Sequence, residues 1–401
     1  MPGYGSASYR GEDLGLRRAG VGEAGLFFGA FAVLLLSLWL DVRFLGETLE
    51  RISTGSMDVH ADFDTFWRSA EALWEGVDVY DTGARLENLN PPFWVLLIAP
   101  LGLLEPLAAY RAFAVITLAV TVGYLAWMAG ELRLRGGWAV VAAAMLLLSS
   151  PLLATLALGQ IYPILALGLV AAWVADRRGG FVLSGAALGL VVAVKPSLAP
   201  VLLWPLVRRR WRALSAAALC GAAATLLGVV AVGWRATLDW VALVTGAPLS
   251  AYWDNASLPS AAARIFTENE FAEPIVTLPL LVPVAYGVGI AAIIFTAVRV
   301  SGGSEAGLWA LAAASLLASP IAWHNYLVLL GPGILVLLAR GRVAPAFLLL
   351  ALQSIPPQWP LLWSGEDTVL ATLALTLYLY ILVAHWLSFL AVRKETAESP
   401  A

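Results

Sequence analysis

The chain has 401 residues, 60% of them hydrophobic and 13% charged, with a formal net charge of −3 and a mean hydropathy of +0.82. A soluble domain carries about 25% charged and about 45–50% apolar residues, so a soluble globular protein is excluded. With no basic tract, nucleic acid is excluded as a partner.

The Leu/Ala/Val-rich runs, roughly 15–24 residues long, suit α-helices and not the alternating strands of a barrel. The expected fold class is all-α, a polytopic integral membrane protein in one 1–401 domain. The start, Met1 to Arg18, lacks a small-residue cleavage site, so residues 1–23 read as a tail and the first apolar run as a retained helix. Candidate spans are Ala24–Phe44, Leu107–Gly130, Trp138–Leu158, Ile161–Ala175, Phe181–Val194 and Ser197–Val207. They continue as Ala213–Val232, Ile275–Val298, Ala306–Trp323, Tyr326–Ala339, Val343–Leu362 and Val369–Val392. That makes about 12 transmembrane helices, several of them short against the ~20 residues a span needs. Pro92–Leu104, flanked by Pro91 and by Glu105-Pro106, reads as re-entrant or interfacial, with a plain short span as the alternative.

Arginines cluster at 17/18, 133/135, 177/178, 208–210 and 212, 299 and 340/342, with Arg393/Lys394 near the end. With twelve spans all of these fall on the side of the N-terminus, which the positive-inside rule makes cytoplasmic. Both termini, including the 393–401 tail, are then cytoplasmic, and the loops 45–90, 233–274 and 363–368 are extracytoplasmic. On that outer face the topology gathers Asp62/Asp64, Gly159-Gln160-Ile161-Tyr162, Lys195-Pro196, Trp253-Asp254-Asn255 and His324-Asn325.

Each group has a plain structural reading beside a functional one. Asp62 and Asp64 open a segment in which Phe63, Phe66, Trp67, Ala70, Leu73 and Trp74 recur at spacings of three and four, an extracytoplasmic amphipathic helix. The aspartates serve as its caps, or one carboxylate serves as a general base. Lys195 beside Pro196 either snorkels or meets a phosphate. His324 is a helix-end hydrogen-bonding residue or a hydrogen-bond donor to a phosphate oxygen, and Gln160 a turn residue or a substrate contact. Cys220, the single cysteine, reads as a packed small residue. No ligand spacing resembles a zinc site, and no Gly-rich phosphate loop occurs, so neither metal nor nucleotide cofactor is expected. A transporter is the rival class, but no repeated broken-helix pair occurs in the two halves.

The blocks "DFDTFWRSAEALWEGVDVYD", "NPPFWVLLIAPLGLL", "LGQIYPILALGLVAAW", "SGAALGLVVAVKPSLAPVLLWPLVRRRWRAL", "DNASLP" and "LASPIAWHNYLVLLGPGILVL" occur in this order. Together they resemble glycosyltransferase family 87, the polyprenyl-phosphate-mannose-dependent α-mannosyltransferase-like enzymes with the GT-C fold, from about Asp58 to Leu338. The resemblance implies Asp62 as general base, Lys195 facing the donor phosphate and His324 in a donor- or acceptor-binding block. It adds Asp64, Gln160, Tyr162, Asn255, Ser257 and Asn325 as possible substrate contacts. Tyr162 stands where the family usually has asparagine, and "DNASLP" departs from the more familiar "NQS". Phe66, Trp67 and Trp74 are expected to anchor an acceptor lipid at headgroup level. The implied partners are membrane lipids, a polyprenyl-phosphate sugar donor and a glycolipid or lipid-linked glycan acceptor, and the expected enzyme is a monomer in the cell membrane that needs no cofactor.

Overall fold

The computed structural model describes residues 21–363 and 368–392. The expected tail 393–401 and all but the last three residues of the expected tail 1–23 lie outside them. Helix α1 (Val21–Ser53) is followed by a 3-10 turn at Met57–His60 and by α2 (Ala61–Glu75). Phe63, Phe66, Trp67 and Ala70 form the buried face of α2, and Gly76 ends the helix in the left-handed region at φ +71. Helix α3 (Pro92–Ile98) and the 3-10 turn Ala99–Leu103 lie against α2. At Gly102 the approach is close enough that a Cβ would stand 2.6 Å from the Ala70 carbonyl carbon.

The chain continues through α4 (Pro106–Glu131), α5 (Gly137–Leu147), α6 (Ser150–Leu158), α7 (Tyr162–Arg177) and α8 (Phe181–Val194). A 3-10 stretch, Pro196–Leu202, precedes α9 (Leu203–Val207), α10 (Trp211–Val232), α11 (Trp234–Gly246), α12 (Leu258–Phe266) and α13 (Leu281–Val300). Helix α14 (Gly307–Ala318) leads through a 3-10 turn at His324–Leu330 into α15 (Gly331–Ala339). Helices α16 (Val343–Gln353), α17 (Val369–Leu375) and α18 (Leu377–Leu390) complete the described chain.

The expected twelve spans are not there. Among the described residues four helical stretches are long and apolar enough to cross a membrane: Pro106–Glu131, Gly137–Leu158, Trp211–Val232 and Leu281–Val300. A fifth is added if α17 and α18, bent by 50° at Thr376, count as one span. Most of the remaining expected spans are apolar helices of 10–17 residues, which at 1.5 Å per residue reach about 15–26 Å against a hydrocarbon core of about 30 Å. The breaks have local causes. Gly159 caps α6 at φ +73, Pro196 and Pro200 turn the chain into 3-10 geometry after Lys195, and Ser319-Pro320 ends α14.

Many of these short helices are apolar because protein surrounds them. Every residue from Gly307 to Leu317 in α14 and from Gly331 to Leu338 in α15 is buried, the pattern of a helix that is hydrophobic all round. Gly333 lets α15 pass under Trp309, whose ring meets that of Trp173 of α7 at 5.3 Å.

This core fixes two opposite ends. At one, Arg177 meets Glu131 at 3.5 Å and Glu305 at 2.7 Å, Arg178 meets Glu131 at 2.6 Å, and Arg340 also pairs with Glu305. Burial works against ionisation of Glu305, but Arg340 and Arg177 outweigh it and hold the carboxyl below the usual carboxylate range. Sixteen-residue α7 runs from Arg177 back to Tyr162, about 24 Å away, and α8 returns from Gly180 to Lys195. Glu305 and His324 likewise bracket α14. The turns at 160–162, 195 and 324–326 therefore share the end away from the arginine network.

Candidate active site

Asp62 occupies the first turn of α2, and the site is built by what docks there. Gly159 has the left-handed backbone that glycine accepts without strain. A Cβ on it would stand 2.5 Å from the Phe63 Cβ, so only glycine lets the end of α6 seat against the start of α2. That contact brings the Gln160 side chain into hydrogen-bonding position on the Asp62 carboxylate and sets Lys195 within electrostatic reach. Burial raises the pKa of Asp62, and the Gln160 hydrogen bond and the Lys195 charge offset part of the rise. The Asp62 charge also acts on the hydroxyl of buried Tyr162.

Lys195 emerges where α8 stops. Its backbone, at φ −138 and ψ 86, leaves the helix ahead of Pro196, and its Nζ stands 5.3 Å from the centroid of the Tyr326 ring. Tyr326 in turn packs against Tyr162, ring centroids 4.1 Å apart. Asp62, Gln160, Tyr162 and Lys195, drawn from three separate stretches of sequence, thus meet in one place, joined by Tyr326, which sequence reading did not single out.

His324 opens the 3-10 turn that carries Tyr326. Its Nδ1 lies 2.6 Å from Asp254 Oδ1, and its ring is 5.1 Å from that of Tyr378. Neither ring nitrogen makes an aligned hydrogen bond among the described residues, Nδ1 having the close Asp254 contact and Nε2 none, and the Asn325 side-chain oxygen is likewise buried without a partner.

The loop bearing Asp254 is clamped from two sides. Asn255 donates to the Pro320 carbonyl at 2.9 Å and accepts from the Ala322 and Ser257 amides at 2.9 and 3.2 Å. The Ser257 hydroxyl caps α12 by accepting from the Ser260 amide. Arg264, fully buried, donates to the carbonyls of Ala251, Tyr252 and Asn255. Its pKa falls to about 10, burial being the largest cause and the Asp254 charge an opposing one. Asn255 and Ser257, expected as substrate contacts, thus have their polar groups engaged by the fold.

Other expected residues also stand elsewhere. Asp64 lies 2.8 Å from Arg68 one turn on, and being two residues from Asp62 it points away from Gln160. Phe66 and Trp67 do not reach a lipid acceptor. Both are buried in the core, Phe66 edge-on to Trp94 and Trp67 donating to the Leu104 carbonyl. An amphipathic helix shows the same periodicity whether its apolar face meets lipid or protein, and here it meets protein. Trp74 is 57% exposed, with its indole N–H donating to the Ala99 carbonyl at 2.6 Å.

Among the described residues no group of three or more His, Cys, Asp or Glu side chains is placed to hold a metal ion. Two open cavities lie beside the site residues in sequence. One, of about 270 Å³, is lined by Glu50, Arg51, Thr54 and Val59. The other, of about 740 Å³, runs past the far end of α2 between Asp78, Tyr80, Asp81, Glu87, Asp239 and Pro248.

Residues 88–320 match the model of glycosyltransferase family 87, more than half of the chain. The chain belongs to glycosyltransferase family 87. It is 30% identical over 340 residues, 77% of this chain and 76% of the relative, to a polyprenol-phosphate-mannose-dependent alpha-(1-2)-phosphatidylinositol mannoside mannosyltransferase of Mycobacterium tuberculosis. It is also 30% identical to an alpha-(1->3)-arabinofuranosyltransferase of Corynebacterium glutamicum, over 165 residues that make up 38% of each chain. The crystal structure of ArnT from Cupriavidus metallidurans bound to undecaprenyl phosphate is similar over 93% of this chain and 76% of that one, at 18% identity and a TM-score of 0.36. Family membership makes glycosyl transfer the chemistry of this membrane protein.

Proposed function

We propose that the chain is an inverting glycosyltransferase that moves a sugar from a polyprenyl-phosphate donor to a phosphatidylinositol mannoside-like acceptor, with Asp62 as general base. The observation that carries this reading is the convergence on Asp62 of the Gln160 side chain and the charge of Lys195, a carboxylate with a cation within electrostatic reach, as proton removal and phosphate departure require. In the reaction the acceptor hydroxyl gives its proton to Asp62 as its oxygen attacks the anomeric carbon from the side opposite the phosphate. The bond from that carbon to the phosphate oxygen breaks, and polyprenyl phosphate leaves with the electron pair. Lys195 and His324 stabilise its charge. A single base with no covalent nucleophile gives inversion, so a β-linked donor yields an α-linked product.

Mannose is the sugar favoured by the 340-residue match to the mannosyltransferase. Arabinofuranose is the second reading, favoured by the shorter match. The site faces the extracytoplasmic side, because the arginine network occupies the opposite end of the fold and basic residues stay inside. The test is the purified enzyme in liposomes with radiolabelled polyprenyl-phosphate mannose, or its arabinofuranose counterpart, and a phosphatidylinositol mannoside acceptor. Label in a more polar lipid product supports the reading. Label taken into the lumen with no new lipid overturns it in favour of transport.

A further inference from the structure

We infer that Asp254 is a positioning residue that fixes His324 so that its second ring nitrogen meets the phosphate of the sugar donor. The inference rests on the donor reading above and adds the residue that makes His324 fit for it.

The pairing is set up by the fold rather than by chance contact. Asp254 and His324 come from loops 70 residues apart, and their polar atoms stand 2.6 Å from each other. Asn255 ties the first loop to residues 320–322, a short bridge pairs Asn255 with Trp323, and the Ala256 amide donates to the Ala322 carbonyl at 2.7 Å. Arg264 closes the loop from behind through three of its carbonyls. Such a frame allows Asp254 little freedom to move relative to the imidazole.

With Nδ1 against the carboxylate, Nε2 is the ring atom left for a ligand. The side chain is 2% exposed, and neither ring nitrogen makes an aligned hydrogen bond; Nδ1 has the close Asp254 contact, whereas Nε2 has no polar contact among the described residues. A buried polar atom left in that state is destabilising, and a bound phosphate oxygen would relieve it. A hydrogen bond donated from Nε2 to such an oxygen would be charge-assisted. Two residues on, Tyr326 carries the Lys195 ammonium over its ring, so the same turn organises both His324 and Lys195. Second-sphere carboxylates orient metal-bound histidines in the same way; here the ligand is an anion.

The test is a double-mutant cycle on the purified full-length chain, read as binding of sugar-free polyprenyl phosphate in detergent micelles by calorimetry. His324→Gln and Asp254→Asn are each expected to weaken binding about tenfold, and the double variant no more than either alone. Loss of binding in both singles that multiplies in the double, or no loss in Asp254→Asn, overturns the pairing while leaving the donor reading in place. Damage to the loop by Asp254→Asn would persist in the His324→Gln background and so would appear as that multiplied loss. Wild-type protein that does not bind polyprenyl phosphate overturns the donor reading, and the pairing with it.

Discussion

Gly159 packs so closely on Phe63 that a Cβ added to it would stand 2.5 Å from the Phe63 Cβ, which seats the end of α6 on the first turn of α2, where Asp62 stands. Gly159→Ala adds a Cβ to a left-handed residue, costing about 1–2 kcal/mol in backbone strain alone, and drives it into the Phe63 side chain. The expected result is a lower melting temperature and turnover reduced by up to about 10²-fold, since a shift of about 1 Å at a reacting group has that effect. Wild-type turnover in Gly159→Ala would separate the Phe63 contact from the site.

Asp62 titrates above the ordinary carboxylate range because burial outweighs Gln160 and Lys195. A base works ionised, so kcat/KM is expected to rise with pH through a pKa higher than that of a free aspartate. The stability effect has the opposite sign. A raised folded-state pKa contributes stability that is complete below the unfolded pKa and is lost as pH rises through the folded one. At neutral pH Asp62→Asn is therefore expected to melt higher than wild type, with the gap shrinking on acidification. Melting curves across that range check this; a variant less stable at neutral pH would contradict the burial argument.

Lys195 and Tyr326 separate ring from hydroxyl. Tyr326→Phe keeps the face under the ammonium, whereas Tyr326→Leu removes it and a cation–π contact of roughly 0.5–2 kcal/mol. Donor KM is expected to rise about 2- to 30-fold in Tyr326→Leu and little in Tyr326→Phe. Lys195→Met should weaken donor binding more than either. Equal effects of Phe and Leu would place the role of Tyr326 in packing or in its hydroxyl.

Glu305 concerns stability and not chemistry. Glu305→Gln leaves Arg177 and Arg340 without their shared carboxylate at the end away from the site. All three side chains are partly solvated, which limits the cost to about 1 kcal/mol. Because arginine holds the Glu305 pKa down, this stability is present above the unfolded pKa and is lost as pH falls through the folded one. Thermal melts should show the wild-type advantage narrowing in acid, with turnover unchanged at neutral pH.

The sequence carried the membrane class and the breaks that build the site, since glycine, proline and a lone lysine stand out in an apolar run. It did not carry the number of spans. Helices α14 and α15 are as apolar as any lipid-facing helix because they are enclosed by protein, and hydropathy does not distinguish the two surroundings. The same ambiguity misplaced Phe66 and Trp67. Tyr326 gave no signal because an aromatic inside "NYLVLL" reads as core. The Asp254–His324 contact and the grip of Arg264 on residues 251–255 depend on loop conformations that no periodicity encodes.

The central claim is that Asp62 removes the acceptor proton while Lys195 and its neighbours hold the donor. Its most direct test compares wild type with Asp62→Asn in single-turnover transfer from radiolabelled polyprenyl-phosphate mannose, with donor binding measured on the same preparations. Labelled lipid product is expected from wild type, none above background from Asp62→Asn, with donor affinities within about twofold of each other. Product formation at the wild-type rate by Asp62→Asn, with donor bound normally, would contradict it.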